Sequence, residues 1–275
     1  MKDSEITLTS RSNVFLKDIR RISSGSHKSE EIVLAEGIRV LEEVVNSGCA
    51  IDAVVVSEGF GSDPRESDLY RAWLLRKTRI YRTTEKIFQS LSSVRTGQGA
   101  LAVVRVPVRH LPATDFPDAL ILYAIGIQDP GNLGTLIRTS YASGASFVCT
   151  SPGTCDARNS KVIRSSAGLF FRSQPVENVP PDHFIRYCRE RSIVMYRTDP
   201  LHGTAYTEAD LTAPCAIFLG NEGSGLKDDG FTRFPSLRIP MIRQAESLNV
   251  ALAGAVLLFE AARQRSLPQG QKPGL

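Results

Sequence analysis

The hydrophobic pattern opens with helical spacing. Ile38, Leu41, Val44 and Val45 fall on one face of a helix expected over 36–47, and a shorter helix is expected over 13–22. Ile51–Val56 is a β-branched run that predicts a strand. Gly59–Asp63 predicts a turn, Tyr70–Arg76 and Thr84–Leu91 helices, and Ala100–Val106 another strand. Three prolines within Val106–Pro117 read as a linker. Beyond it, short apolar runs alternate with helical segments. Strands are expected at Ala119–Ile125, Ser146–Thr150, Ile193–Arg197, Cys215–Leu219 and Ser236–Ile239. Helices are expected near Asn132–Ser143, Asn159–Gly168 and Asp182–Arg191, after Gly223, and from Ser247 to about Arg265. Apolar strands alternating with helices argue for a mostly parallel sheet covered on both faces. The chain is therefore expected to be α/β. A small α/β domain spans 1–106, a linker 107–117, a larger domain 118–266 and a flexible tail 267–275.

Composition narrows the class without naming a function. With 42% hydrophobic and 23% charged residues the chain has the make-up of an ordinary globular protein, which excludes collagen-like, disulfide-scaffold and largely disordered classes. The longest apolar runs, Ala119–Ile127 and Val250–Phe259, are shorter than the ~20 residues that a membrane helix needs. Met1-Lys2-Asp3-Ser4-Glu5 lacks the apolar core of a secretory signal. Cys49, Cys149, Cys155, Cys188 and Cys215 are scattered and form no CxxC pair, so reduced thiols and a cytoplasmic location are expected. His27, His110, His183 and His202 have no ligand-spaced neighbours, and no metal is expected.

Charge adds little as a sum and more as a distribution. Thirty-three Lys and Arg against 29 Asp and Glu leave +4. Arg11, Lys17, Arg20, Arg21 and Lys28 cluster against one acid, Asp18. Arg71, Arg76, Lys77, Arg79, Arg82, Lys86 and Arg95 form a second cluster against Glu85. Either is a candidate nucleic-acid backbone contact or a solvated face. Glu30, Glu31, Glu36, Glu42 and Glu43 lie between them on an expected helix, facing away from any nucleic acid.

Three segments of the larger domain carry the chemistry. In Ile127–Thr139 a strand ends in Asp-Pro-Gly and a helix opens at or just after Asn132. Arg138 is the one charge between Pro130 and Cys155. A lone Arg on an apolar helix either meets an anion or snorkels to water, and Asn132 either serves a site or caps the helix. In Phe218–Leu226 a buried strand meets a loop with three glycines, and Glu222 is the one charge between Leu211 and Leu226. The Gly220–Gly225 spacing suggests a phosphate loop, but Leu226-Lys227-Asp228 lacks the Gly-Lys-Ser/Thr core, and no GxGxxG follows a strand. In Ile239–Val250 an extended loop leads to Ser247, which opens an apolar helix expected to be buried at a subunit contact. Asn249 would then need a partner in a buried first turn.

The order and spacing of Gln128–Arg138, Leu219–Leu226 and Ile239–Val250 resemble the three motifs of the SpoU/TrmH family, the RNA ribose 2′-O-methyltransferases of the SPOUT superfamily, over roughly 118–265. The first hundred residues resemble that family's ribosomal-protein-like RNA-binding domain through Thr9-Ser10-Arg11-Ser12-Asn13 and Leu34-Ala35-Glu36-Gly37. The resemblance implies a trefoil-knotted α/β catalytic domain, S-adenosylmethionine as cofactor and a homodimer built on the knots. It implies cofactor contacts at Thr198, Leu219, Gly220, Ile239, Met241 and Leu248, and RNA contacts at Arg11, Lys17, Arg20, Arg21 and Lys28. Arg138 would clamp phosphate and steady the developing alkoxide, because a guanidinium with a pKa above about 12 is a poor base. Asn132 would orient Arg138 or the ribose, Glu222 would pair with Arg138 or line the pocket, and Ser247 and Asn249 would hydrogen-bond around the ribose and the cofactor carboxylate. Arg243 and Gln244 touch RNA or the partner subunit or are solvated, and Lys161, Arg164 and Arg172 either extend the RNA surface in the catalytic domain or are a solvated helix face. Ribosomal RNA is the expected substrate rather than tRNA, and the alternative is a non-catalytic ribosome-assembly protein on the same fold.

Overall fold

A computed structural model describes residues 5–24, 31–92, 97–221, 226, 230–243 and 247–266. These fall into two units. One holds the described residues up to Val108 together with Arg158–Arg172, and the other holds Arg109–Ala157 together with the described residues from Ser173 onward.

The first unit runs β1 (Glu5–Leu8), α1 (Val14–Ser23), β2 (Ile32–Glu36), α2 (Ile38–Ser47), β3 (Ala50–Ser57), α3 (Pro64–Leu75), β4 (Ile80–Thr83), α4 (Glu85–Gln89) and β5 (Ala100–Arg105). Its sheet has the order β1-β4-β3-β5-β2, parallel from β1 to β3 and antiparallel across β5. Three of these strands, β1, β2 and β4, are not among those expected from sequence. Each has four or five residues, and Ile32–Glu36 runs directly into a helical period. Gly37, at φ 103°, makes the break that a side chain would resist, and α2 starts after it at Ile38 rather than at 36. Helix α3 begins six residues before the expected Tyr70, because Asp63 and Glu66 form a capping box around Pro64. The acids expected on one outward helix are dispersed. Glu36 ends β2 and is buried, while Glu42 and Glu43 on α2 pair with Arg65 at 2.6 Å and Arg172 at 2.5 Å.

The second unit begins with β6 (Leu120–Ala124), α5 (Pro130–Ala142) and β7 (Phe147–Thr150). The chain then leaves it for α6 (Ser160–Ser165) and the start of α7 (Phe170–Ser173), whose Val162, Ile163, Phe170 and Phe171 are at most 1% exposed in the first unit. It returns for α8 (Pro181–Glu190), β8 (Val194–Thr198), β9 (Thr204–Ala205), β10 (Cys215–Leu219), β11 (Ser236–Arg238) and α9 (Val250–Ser266). The helix expected after Gly223 begins outside the described residues, and Leu226 and 230–235, which are described, are not helical. The sheet has the order β7-β6-β10-β8-β11-β9 and every pairing is parallel. Strands β6, β7 and β10 are buried at every position, as helices on both faces require. An aromatic cluster of Tyr123, Phe184, Phe218 and Phe231 fills one face. Arg265 fastens the end of α9 by donating to the carbonyls of Leu211, Asp118, Ala119 and Ala213. All five cysteines are free, and burial pushes the Cys188 thiol up to about 12. No helix among the described residues is long and apolar enough to cross a membrane.

Candidate active site

In a parallel sheet the carboxyl ends of the strands share one edge, and ligands collect outside it. Here Leu219 of β10 lies beside Ala124 of β6, Phe218 beside Arg197 of β8, and Leu237 of β11 beside Thr198. The loops leaving these ends enclose a cavity of about 700 Å³, counting its open mouth. Its wall includes Thr198, Leu219, Gly220, Ile239, Met241 and Leu248, the six residues that the resemblance marks for the cofactor, and Ser247 beside them. Thr198 is held there by a 2.9 Å hydrogen bond from its hydroxyl to the Phe218 carbonyl. Leu237, Val250 and Leu257 complete an apolar wall, a surface suited to a purine ring.

The loop after β6 is stapled on both sides. Ile125 N–H donates to the Leu219 carbonyl at 2.8 Å, and Asn221 Nδ2 donates to the Gly126 carbonyl at 2.8 Å. Gly126, at φ 64°, receives the hydroxyls of Ser151 and Thr154 as acceptors for its N–H, each at 3.1 Å. Gln128 Nε2 donates to the Gly153 carbonyl. Helix α5 then starts at Pro130, and its cap is Asp129, whose Oδ1 accepts from Asn132 N–H at 2.9 Å. Asn132 is thus inside the first turn, and its side chain is used elsewhere. Its Oδ1 accepts from Asn249 Nδ2 at 3.0 Å, while Asn249 Oδ1 accepts from the N–H groups of Ala251 and Leu252. Asn249, not Ser247, therefore caps α9, which starts three residues later than expected. Asn249 is exposed rather than buried in the first turn.

Arg138 lies two turns along α5 and is exposed, with no hydrogen bond or ion pair among the described residues. The burial cost that a lone guanidinium on an apolar helix suggested does not arise, because the side chain reaches water. Arg138 does not line the cavity. Glu222 lies outside the described residues, as do Gln244 and Lys28.

Of the expected RNA contacts in the first unit, Lys17 and Arg21 are exposed on α1, Arg21 beside Asp18 at 3.1 Å. Arg11 is exposed and donates to the Lys86 carbonyl at 3.2 Å. Arg20 is half-buried and holds the loop together, donating to the Arg11 carbonyl and the Ser90 hydroxyl. Arg82, from the second basic cluster, is 23% exposed and pairs with Glu5 at 2.6 Å, so it belongs to the fold. Arg95 is outside the described residues. Lys161, Arg164 and Arg172 fold with the first unit rather than the second. Two polar lining residues were not singled out in sequence, Asp199 and Asn221. Each directly follows a residue singled out, Thr198 and Gly220, and that adjacency was the available signal.

Comparison with known proteins matches residues 119–259 to a family model described as the SpoU rRNA Methylase family, and residues 13–102 to an MRM3-like substrate binding domain. The 23S rRNA (guanosine(2553)-2′-O)-methyltransferase RlmP of Bacillus subtilis is 29% identical over 92% of this chain and 97% of that protein. A crystal structure of an RNA 2′-O ribose methyltransferase aligns with TM-score 0.82 at 33% identity, covering 95% of this chain and all of that one. An AdoMet-bound rRNA methyltransferase from Sinorhizobium meliloti aligns with TM-score 0.83 at 25% identity, over 94% of this chain and 98% of that one.

Proposed function

The chain belongs to the SpoU rRNA methylase family, and from that premise we propose how its residues perform the reaction. The protein is an S-adenosylmethionine-dependent RNA 2′-O-methyltransferase, and its substrate is ribosomal RNA. The observation that carries the residue-level reading is the cavity, where residues 198, 219, 220, 239, 241, 247 and 248, distant in sequence, form one wall.

The residues present fit the cofactor. Leu219, Ile239 and Leu248 offer apolar surface to an adenine, while Thr198, Asn221 and Ser247 offer polar groups to its ribose and amino-acid ends. When bound, the cofactor supplies a methyl group on a sulfonium, which is a good leaving group. The protein's own tasks are then orientation and proton removal from a weak nucleophile. The Asn132–Asn249 pair fixes the starts of α5 and α9 against each other, with Asn249 between the lining residues Leu248 and Val250. Arg138, exposed and free of partners among the described residues, clamps an RNA phosphate and steadies the developing alkoxide. The proton leaves through phosphate or water, and Glu222 pairs with Arg138 or lines the pocket. Arg11, Lys17, Arg21 and Lys28 contact the RNA backbone.

The apolar stripe on α9 supports a homodimer. Leu252 is 57% and Phe259 52% exposed, an unusual placement on a helix whose other face is buried. We further read the C-terminal domain as trefoil-knotted and the protein as cytoplasmic. Labelled S-adenosylmethionine incubated with ribosomal RNA and tRNA, followed by mapping of the modified nucleotide, tests the reading. A ribose 2′-O-methyl in ribosomal RNA is expected. Absence of S-adenosylmethionine binding by calorimetry would favour the assembly-factor alternative.

A further inference from the structure

The described lining of the cavity is uncharged except at one side chain, Asp199. Its carboxylate is fixed from several directions. Oδ1 accepts from the backbone N–H groups of Leu201 and His202, each at 2.9 Å, and Oδ2 accepts from Arg197 Nη1 at 2.9 Å. The side chain is 17% exposed. Burial pushes its pKa up, but the two amides and the Arg197 guanidinium outweigh that and hold it below the usual carboxylate range. The imidazole of His202 lies 3.6 Å away on the solvent side. Arg197 precedes Asp199 by two residues and is not part of the cavity wall. The ion pair therefore has its negative member on a residue of the cavity wall and its positive member on a residue outside that lining.

A structural turn needs only the two amide contacts, which a neutral Asn side chain would satisfy equally. An ionised group among described lining residues that are otherwise neutral invites a role beyond its pair with Arg197, because desolvating it is costly. Resting on the reading of this cavity as the S-adenosylmethionine site, we infer that the Asp199 carboxylate recognises the positive charge that separates S-adenosylmethionine from its demethylated product. Methyl transfer turns the sulfonium into a neutral thioether. The attraction to Asp199 disappears at that step, so the same carboxylate that favours the charged cofactor ceases to hold the product.

The test is calorimetric titration of the full chain with S-adenosylmethionine, with neutral S-adenosylhomocysteine and with sinefungin, which carries an ammonium in place of the methylsulfonium. The native protein is expected to bind both cationic ligands more tightly than the neutral one. Asp199→Asn, which keeps an Oδ1 acceptor for the turn, is expected to weaken the cationic ligands about tenfold and to leave S-adenosylhomocysteine within about twofold. Retained S-adenosylhomocysteine binding shows that the variant's cavity is intact. Equal weakening of all three ligands, or of none, overturns the inference, as does a native protein that does not prefer the cations. If Asp199→Asn binds nothing, the native comparison and the charge-keeping Asp199→Glu, which is expected to preserve the preference, decide the matter. A native protein that binds none of the three sinks the cofactor reading itself.

Discussion

Asn249 serves two helices with one side chain. Its oxygen caps α9, and its amide nitrogen reaches Asn132 at the start of α5. Asn249→Asp separates these roles, because the cap accepts either residue while the donor to Asn132 is lost. We expect a melting temperature close to that of the native protein and a fall in methyl transfer of about tenfold or more. A larger loss of melting temperature than of turnover would mean that the pair serves the fold alone. Arg138→Ala tests the other half of the site. Because Arg138 does not line the cavity, S-adenosylmethionine affinity should be unchanged while kcat falls about a hundredfold or more. Near-normal turnover would remove Arg138 from the mechanism. At this scale the polar residues of interest were legible, but their bonding was not. Asp129 and Asn132 are both good caps three residues apart, and only the backbone geometry assigns the cap to Asp129. Asp199 was hidden for the opposite reason, since an Asp-Pro pair after a strand reads as an ordinary turn.

At the scale of elements, α9 lies against α5 and β10 at Gly254. A Cβ placed there would stand 2.5 Å from Leu136 Cδ2 and 2.7 Å from Leu219 Cδ1. Gly→Ala normally stabilises a helix, yet here Gly254→Ala should destabilise the protein by about 1–3 kcal/mol through overpacking, read as a lower melting temperature. It should also weaken cofactor binding, because Leu219 is part of the cavity wall. In the first unit, Glu5 of β1 bonds to Arg82 of β4 and receives the Tyr70 hydroxyl of α3. The Arg82 hydrogen bond, chiefly, lowers the Glu5 pKa from its usual 4.5. The stability from this contact is therefore complete above pH 4.5 and is lost as pH falls through the lower folded value. Glu5→Gln should melt below the native protein at pH 7, with the gap closing on acidification below pH 4.5, as thermal scans across that range would read. Strands β6, β7 and β10 were legible because each is a continuous apolar run buried at every position, whereas β9, only two residues long, is not among the strands expected from sequence. Strands β1 and β4 escaped notice because their four residues alternate too briefly to show a period.

At the scale of the whole molecule, the proposed dimer predicts that Phe259→Asp lowers the assembly from two copies to one, as sedimentation would detect. A native protein that sediments as a monomer would dismiss it. The composition and the proline-bearing linker suggested one cut between two modules. The structure instead returns Arg158–Arg172 to the first unit, and no glycine or proline cluster marks either crossing. What sends that segment across is packing. Phe170, Phe171, Val162 and Ile163 are ordinary core residues whose destination no local pattern encodes.

That excursion sets the timetable of biosynthesis. A chain emerging from the ribosome at about 5–20 residues per second releases the first unit's own sheet early. Its core nevertheless stays open until residue 172 has cleared the exit, by which time β6, α5 and β7 of the second unit are already outside. The part of the protein made first thus waits for the middle of the part made second, and the apolar face that will receive Phe170 and Phe171 stays open to water in the interval.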